Sequence, residues 1–148
     1  MHAFYDRMTD RTRRSLEAAN KLAFDRKHPL VTNLHVLWGM IEEGRNIAFK
    51  VLSDMKVDLK VLKAEIEEFL GKGTYSSHDK AVCYDEDVRQ VICDAISLSI
   101  KDKTDIGSHH LLLAILASDT PAVRILDRFN VTQELVDAYV GAVVKPVS

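Results

Sequence analysis

The sequence contains little cysteine: Cys83 and Cys93 are the two cysteines in 148 residues. A secreted domain of this size that depends on disulfides usually carries a larger, even set. The spacing of the two also does not match a Cys-x-x-Cys redox pair. We therefore expect both thiols to be reduced, and we expect Cys93 to lie in the core.

Long apolar runs are missing as well. No run approaches the roughly 18 residues that a membrane span needs, and the start of the chain lacks the basic and then apolar regions of a signal peptide. The 20 Lys and Arg residues against 22 Asp and Glu residues give a net charge of -2, so no basic field indicates nucleic acid. These absences predict a cytoplasmic protein with neither a membrane nor a nucleic acid as its partner.

The motifs of catalysis and cofactor binding are missing too. Residues 71–74 lack both the upstream glycine and the Lys-Ser/Thr step of a phosphate-binding loop. His109 and His110 are adjacent, and adjacent helical side chains point about 100° apart, which makes a poor metal chelate. A catalytic cysteine needs a general base within hydrogen-bond reach, and the sequence indicates no such base for Cys83 or Cys93. We expect no catalytic residue, no metal and no cofactor, and hence not an enzyme.

Helical periodicity runs through the whole sequence. Apolar residues recur at helical spacing in segment after segment, for example Leu62, Ile66 and Phe69, and no segment alternates convincingly as a strand does. Residues suited to helix starts precede these segments. The predicted helix-opening residues are Thr9, Asn33, Asp58, Asp85, Ser108, Thr120 and Thr132. The pattern predicts an all-α fold, and a hydrophobic fraction of 47% is enough for a core.

The helical pattern occurs twice. The first helices align at an offset of 76 residues, the second helices at 75, and the third and fourth at 74, so that Leu16 matches Ile92 and His35 matches His110. Loops tolerate the two single-residue deletions that this drift requires. The repeat predicts two pseudo-symmetric four-helix units, 1–72 and 84–148, joined by a polar, glycine-containing linker at 73–83.

Two stretches of this repeat resemble a known family. Residues 33–44, Asn-Leu-His-Val-Leu-Trp-Gly-Met-Ile-Glu-Glu-Gly, are similar to the Thr-Glu-His-Ile-Leu-Leu-Gly-Leu pattern of the Clp N-terminal domain, and residues 107–116 repeat the signature more loosely. Residues 8–14 resemble the opening of the same domain. The resemblance spans about residues 4 to 144 and is nearest in appearance to the ClpC type. It implies a double Clp repeat domain.

The resemblance also implies a function. Such domains sit on the ring of Clp-type AAA+ unfoldases, dock adaptor or substrate proteins, and carry no catalysis of their own. The expected partners are therefore adaptors or substrate proteins. An alternative is a free-standing accessory protein that binds the Clp ATPase or peptidase and modulates its assembly.

The expected partner surface lies at the starts of the first and second helices and their copies. The resemblance links the acidic residue of each Thr-Glu-His signature to recognition of phosphorylated arginine, but Leu34 and His109 occupy those positions here. A carboxylate can pair bidentately with a guanidinium, and leucine cannot. We therefore expect either a changed ligand or docking without phosphoarginine recognition. The predicted partner-binding residues are Thr9, Arg11, Asn33, Leu34, Tyr84, Ser108 and His109.

Three further side chains carry an interpretation. His35 and His110 occupy equivalent positions just inside a helix start, and we expect each to bond to a neighbouring helix or loop and tie its repeat together. Trp38 stands where the family pattern has leucine. Its simplest role is in the core, and the alternative is that it lines a groove near the surface between the repeats.

Overall fold

The structure is a computed structural model that describes residues 4–71 and 82–144, and it confirms the all-α class. A 3-10 turn at Tyr5–Arg7 precedes the α-helices. The helices are α1 Asp10–Asp25, α2 Asn33–Glu43, α3 Ile47–Asp54, α4 Leu59–Leu70, α5 Glu86–Asp102, α6 Ser108–Leu116, α7 Pro121–Arg128 and α8 Gln133–Val143. We call residues 4–71 the first half and residues 82–144 the second half.

Most of the predicted helix starts are confirmed. The side chains of Thr9, Asp58, Asp85 and Thr132 each accept a hydrogen bond from the backbone amide three residues on. Such caps satisfy amide groups that the first helical turn would otherwise leave without partners. Thr120 precedes α7, whose first residue is a proline.

The predictions for α2 and α6 were wrong by one residue. Asn33 and Ser108 are the first residues of these helices, and Thr32 and Gly107 precede them as the caps. A histidine in the third helical position completes each start. The amide of Thr32 donates to Nδ1 of His35 at 2.8 Å, and the amide of Gly107 donates to Nδ1 of His110 at 2.9 Å.

The same histidines reach back into their own halves. Nε2 of His35 lies 2.8 Å from Nδ1 of His28, whose Nε2 lies 2.8 Å from the carbonyl oxygen of Gly71. Nε2 of His110 donates to the Asp102 carboxylate at 2.8 Å. Both histidines thus link a helix start to neighbouring segments, as expected from the sequence.

Short backbone pairings between the halves are a feature that the sequence pattern did not predict. Strand β1, Leu30–Val31, runs parallel to strand β2, Cys83–Tyr84. Met8 forms a parallel bridge with Ile106. At the repeat offsets Met8 is equivalent to Tyr84, and Val31 to Ile106. Each half therefore pairs its entry segment with the segment that precedes the second helix of the other half.

The amides next to these pairings follow the same exchange. The Thr9 amide donates to the Ile106 carbonyl oxygen at 3.1 Å, and the Asp85 amide donates to the Val31 carbonyl oxygen at 3.0 Å. Backbone N–H and C=O groups of these segments therefore find their hydrogen-bond partners in the other half. The start of α1 thus lies near the start of α6, and the start of α5 lies near that of α2.

Helices α1 and α2 approach closely because Gly39 has no side chain. A Cβ at this position would lie 2.2 Å from the Ser15 carbonyl oxygen and 3.0 Å from the Ala19 nitrogen on α1. The equivalent position in α6 is Ala114, so α5 and α6 do not have the same freedom to approach. The buried apolar side chains of both halves nevertheless form one continuous core.

Two side chains lie elsewhere than expected. Cys93 is exposed, because the buried side of α5 is formed by Val88, Ile92 and Ala95 and Cys93 faces the other way. Phe69, expected on the apolar face of α4, is 59% exposed. It follows Leu62 and Ile66 at helical spacing, but it lies beyond them at the end of the helix.

The predicted linker, 73–83, falls mostly outside the described residues, as does the boundary at 72. The division into repeats 1–72 and 84–148 therefore stays a prediction. Among the described residues, no helix is both long and apolar enough to span a membrane.

The two helical glycines Gly39 and Gly141 give a matched test of the packing. We expect Gly39→Ala to lower the free energy of unfolding by about 1–3 kcal/mol, because the new methyl overlaps the α1 backbone. Gly141→Ala meets no atom within 4 Å, and removing a helical glycine should raise stability by up to about 1 kcal/mol. Urea unfolding of both variants measures these changes, and equal effects would contradict the packing account.

Candidate functional site

A cleft of about 270 Å³ opens where three helix starts meet the end of α4. We call it the α2 cleft. The starts of α2, α5 and α7 form its walls, and the last residues of α4 close one side. Its lining residues are Thr32, Asn33, Leu34, Phe69, Leu70, Asp85, Asp87, Thr120, Pro121 and Ala122. The exchanged backbone pairing brings the Asp85 segment of the second half against α2 of the first.

Asn33 is one of two buried polar side chains among the described residues of this cleft, and Thr120 is the other. Asn33 is 2% exposed, and its Nδ2 donates one long hydrogen bond of 3.5 Å to the Thr120 hydroxyl oxygen. Its Oδ1 is buried and has no hydrogen-bond partner among the described residues. A buried acceptor without a partner costs roughly 1–3 kcal/mol.

Two carboxyl groups give the cleft its charge. Asp85 caps α5 by accepting from the Val88 amide at 2.8 Å, and Asp87 lies exposed two residues further along the chain. Burial raises the pKa of the Asp85 carboxyl, and the hydrogen bond from the Val88 amide offsets part of that rise. Among the described residues, neither a lysine nor an arginine lines the cleft.

The equivalent position in the second half is filled differently. The Ser108 hydroxyl, which stands where the first half has Asn33, accepts from the Ala48 amide at 2.8 Å. Arg11, which corresponds to Asp87, donates to the Glu43 carboxylate at 3.1 Å. Thr9 uses its hydroxyl on the Thr12 amide. Of the predicted site residues, Thr9, Arg11 and Ser108 therefore take part in contacts within the fold.

His109 is packed into the second half. It is 5% exposed, its ring centroid lies 4.0 Å from that of His110, and its Nδ1 is buried without a hydrogen-bond partner in the described residues. Burial, followed by the neighbouring His110, lowers the pKa of His109 to about 4. The ring is therefore neutral near pH 7.

The structure brings Asp102, His109 and His110 together, with their candidate metal-ligand atoms within 4.8 Å of one another. The adjacent histidines thus lie closer than the helical spacing suggested. Nδ1 of His110 accepts from the Gly107 amide, so the neutral ring holds its proton on Nε2 and donates it to Asp102. A metal could bind that Nε2 only if the nitrogen lost its proton. If Nδ1 still accepted from Gly107, the ring would then carry no proton on either nitrogen. The hydrogen bonds favour a helix-capping role.

Tyr84 does not line the α2 cleft, and its side chain pairs with Tyr5 instead. Its hydroxyl lies 2.6 Å from that of Tyr5, and the side chain is buried. Burial is the main cause that raises the pKa of the Tyr84 hydroxyl. The pair links the entry segments of the two halves.

A second cleft, which we call the α5 cleft, lies between α5, α6 and α8 and measures about 510 Å³. Leu98, Leu113 and Ala117 form apolar parts of its lining. At the repeat offset, Leu113 corresponds to Trp38. In the first half Trp38 is partly buried, and the Lys63 ammonium lies 4.8 Å from its ring centroid.

Two of the predicted partner-binding residues, Asn33 and Leu34, line the α2 cleft. Phe69, Asp87 and Thr120 also line it and were not among the predicted residues. Phe69 fits the apolar period of α4, so the sequence pattern places it on the buried face. The pattern does not show that the core stops short of the last turn of α4, where the ring is left uncovered. The exchanged pairing, which positions Asp87, had no signal in the sequence pattern.

The chain matches the family model described as the Clp repeat N-terminal domain over residues 7–129. Among curated proteins, it is 29% identical over 134 residues to the chloroplastic chaperone protein ClpC1 of Arabidopsis thaliana, covering 86% of this chain and 14% of that protein. This chain therefore spans about one seventh of that relative's length.

Solved structures share the fold. The N-terminal domain of Hsp104 from Candida albicans superposes with a TM-score of 0.79 at 16% identity, covering 95% of this chain and 93% of that one. The N-domain of ClpV in complex with a VipB peptide gives a TM-score of 0.69 at 17% identity, covering 91% and 90% of the two chains.

Buried histidines predict an acid-sensitive fold. Burial lowers the pKa of His35, and of His109, to about 4, below the usual value of about 6.5. The unfolded chain therefore binds more protons between these values. Stability should be unaffected by these groups above about pH 6.5 and should fall toward pH 4, by at most about 1.4 kcal/mol per pH unit for each histidine.

Urea unfolding at pH 7 and pH 5 measures this loss. His109→Leu places in the second half the residue that the first half has at position 34, and it should remove the share of the loss that His109 causes. If the His109→Leu variant kept the same pH dependence of stability, His109 would not be a cause of the acid sensitivity.

Proposed function

Because the chain belongs to the Clp repeat N-terminal domain family, we propose that it is a docking module that receives adaptor or substrate proteins for a Clp-type AAA+ ATPase. The family match over residues 7–129 covers most of the chain. The N-domain of ClpV, which shares the fold, is known in a complex with a VipB peptide. Both observations support a role in binding proteins.

The observation that carries the proposal is the α2 cleft. It is open, and Asn33 and Leu34 line it at the family's signature position. Phe69 adds an aromatic ring that is 59% exposed. Aromatic residues are enriched at the cores of protein–protein interfaces.

The seven predicted partner-binding residues divide into two roles in this proposal. Asn33 and Leu34, which are buried, shape the wall of the α2 cleft, and Arg11, whose side chain is 41% exposed, can be reached by a partner from solvent. The remaining four maintain the surfaces from within the fold: Thr9, Tyr84, Ser108 and His109.

We assign no catalytic role to these residues. Among the described residues, Asp102, His109 and His110 form a cluster of candidate metal ligands, and the hydrogen bonds of His110 serve the start of α6. The proposal therefore places any ATP-driven step in another part of a Clp machine. The alternative, an accessory protein that binds the Clp ATPase or peptidase, would use the same surface for a different partner.

Binding to an unfolded protein tests the docking function. Fluorescence anisotropy would follow the purified chain added to fluorescein-labelled, reduced and carboxymethylated α-lactalbumin, which cannot refold. We expect saturable binding that Phe69→Ala weakens at least about fivefold, because that ring lines the cleft. Phe24→Ala is the matched control, since Phe24 is 46% exposed and does not line the cleft.

The same assay separates the alternative. Binding to a purified Clp ATPase ring or peptidase, with no binding to the unfolded protein, would favour the accessory role. The absence of binding to any of the three would contradict both.

A further inference from the structure

We propose that His28 and His35 form an acid-released latch, which holds the last turn of α4 against the start of α2 and so keeps the α2 cleft in the form that docks a partner. The inference concerns the regulation of this cleft, and that part of it rests on the proposed docking function. It follows from the direction of three successive hydrogen bonds, from the burial of both rings and from their position between two walls of the cleft.

The hydrogen bonds of the latch run in one direction. The Thr32 amide can only donate, so Nδ1 of His35 accepts from it at 2.8 Å and the neutral ring carries its proton on Nε2. That Nε2–H donates to Nδ1 of His28 at 2.8 Å. The neutral His28 ring therefore carries its own proton on Nε2, which donates to the Gly71 carbonyl oxygen at 2.8 Å. The four ring nitrogens thus form a chain from α2 to the end of α4.

The chain is complete only while both rings are neutral. A proton added to His28 would go to Nδ1 and would face the Nε2–H of His35 across 2.8 Å. A proton added to His35 would go to Nδ1 and would face the Thr32 amide. Either proton replaces a hydrogen bond by two opposed donors, and the proton on His28 separates the end of α4 from α2.

Burial adds to the cost of either proton. His28 is 7% exposed and His35 is 1% exposed, and a buried charge needs a partner or water. Burial, followed by the charge of His28, lowers the pKa of His35 to about 4. Among the described residues, no carboxylate is hydrogen-bonded to either ring. A charged latch is therefore stable only if water can reach it.

The charged groups on the surrounding elements are paired with each other or lie on segments that only adjoin the latch. The first turn of α2 has neither an acidic nor a basic residue. At the end of α1, Asp25 pairs with Lys21 at 2.7 Å, and Arg26 pairs with Glu67 of α4 at 2.8 Å. The other titratable groups on adjoining segments are Lys27, Glu68, Cys83, Tyr84 and, in the lining of the α2 cleft, Asp85 and Asp87.

The second half holds its matching histidine differently. Nδ1 of His110 accepts from the Gly107 amide at 2.9 Å, but Nε2 donates to the Asp102 carboxylate at 2.8 Å. A proton taken up by His110 would meet an anion, whereas a proton taken up by His35 would meet another imidazole. The latch is therefore a property of the first half, and the last residues of that half's α4 line the α2 cleft.

Release of the latch should move the last turn of α4. The His28 amide donates to the Ala23 carbonyl oxygen at 2.8 Å and so fixes the backbone of His28 to the end of α1. The ion pair of Arg26 with Glu67 ties α4 to the same place. The residues that can move and admit water to a charged ring are therefore 68–71. Phe69 lies among them, and a displaced Phe69 would have to be ordered again when a partner binds. Acid should thus weaken docking.

Hydrogen exchange tests the latch itself. The Gly71 amide, which donates to the Glu67 carbonyl oxygen at 3.0 Å, reports on the last turn of α4. Its protection factor, measured by NMR and corrected for the intrinsic pH dependence of exchange, should fall about tenfold from pH 6 to pH 5. One bound proton favours the open form by up to about tenfold per pH unit.

Two histidine variants provide the comparison. His28→Gln offers an acceptor to His35 and a donor to Gly71 and cannot take up a proton, so its protection factor should change less than about twofold. His109→Leu removes a buried histidine outside the latch and should keep the full fall. The imidazole ¹⁵N shifts of the unmodified chain at pH 7 give a measurement that needs no variant, and both latch rings should be Nε2–H tautomers.

The docking assay tests the control of the cleft. Fluorescence anisotropy would follow carboxymethylated α-lactalbumin, labelled with a dye that is insensitive to pH, at pH 7 and pH 5.5. The affinity of the unmodified chain should fall at least about fivefold, and that of His28→Gln less than about twofold. The ratio of the two affinities at each pH cancels changes in the unfolded protein itself.

A constant Gly71 protection factor in the unmodified chain, an equal fall in His28→Gln, or an Nδ1–H tautomer on either ring would overturn the latch. Equal losses of affinity in the two proteins would overturn its control of the cleft. If the unmodified chain does not bind carboxymethylated α-lactalbumin at pH 7, the docking function fails together with its control, and Gly71 exchange still decides the latch.

Discussion

The exchange of backbone pairing between the two halves is the constraint on which the rest of the structure depends. β1 pairs with β2, and Met8 pairs with Ile106, so that each half's entry segment lies against the other half. This exchange sets the helix starts side by side. The α2 cleft exists because α2 of one half meets α5 and α7 of the other, and a single four-helix unit could not form it.

The two halves keep one architecture and have different side chains at its key positions. Gly39 allows a close approach of α1 and α2, and Ala114 stands at the equivalent place in α6. Asn33 leaves an acceptor free, whereas Ser108 uses its hydroxyl on α3. The family resemblance therefore describes the scaffold of both halves, while the chemistry of each surface depends on these local differences.

The sequence predicted the fold better than it predicted the site. Helical period and capping residues identified the helices in order, because those signals are local to each segment. The caps at Thr32 and Gly107 were missed. His35 and His110, three residues later, accept from the amides of these caps, as the Glu or Gln of a capping box does. Cys93 and Phe69 were misplaced because helical period shows which residues share a face and not where the packing partner ends.

The central claim is that partner segments bind where three helix starts converge. Its most direct test is a ¹H–¹⁵N NMR titration of the full chain, with resonances assigned, against unlabelled reduced and carboxymethylated α-lactalbumin. The account predicts that the largest shifts fall on the Asn33 side-chain amide and on the backbone amides of Phe69, Asp87 and Thr120, around the α2 cleft. Shifts concentrated instead on Asp94, Ser97 and Ala117, which line the α5 cleft, would contradict it.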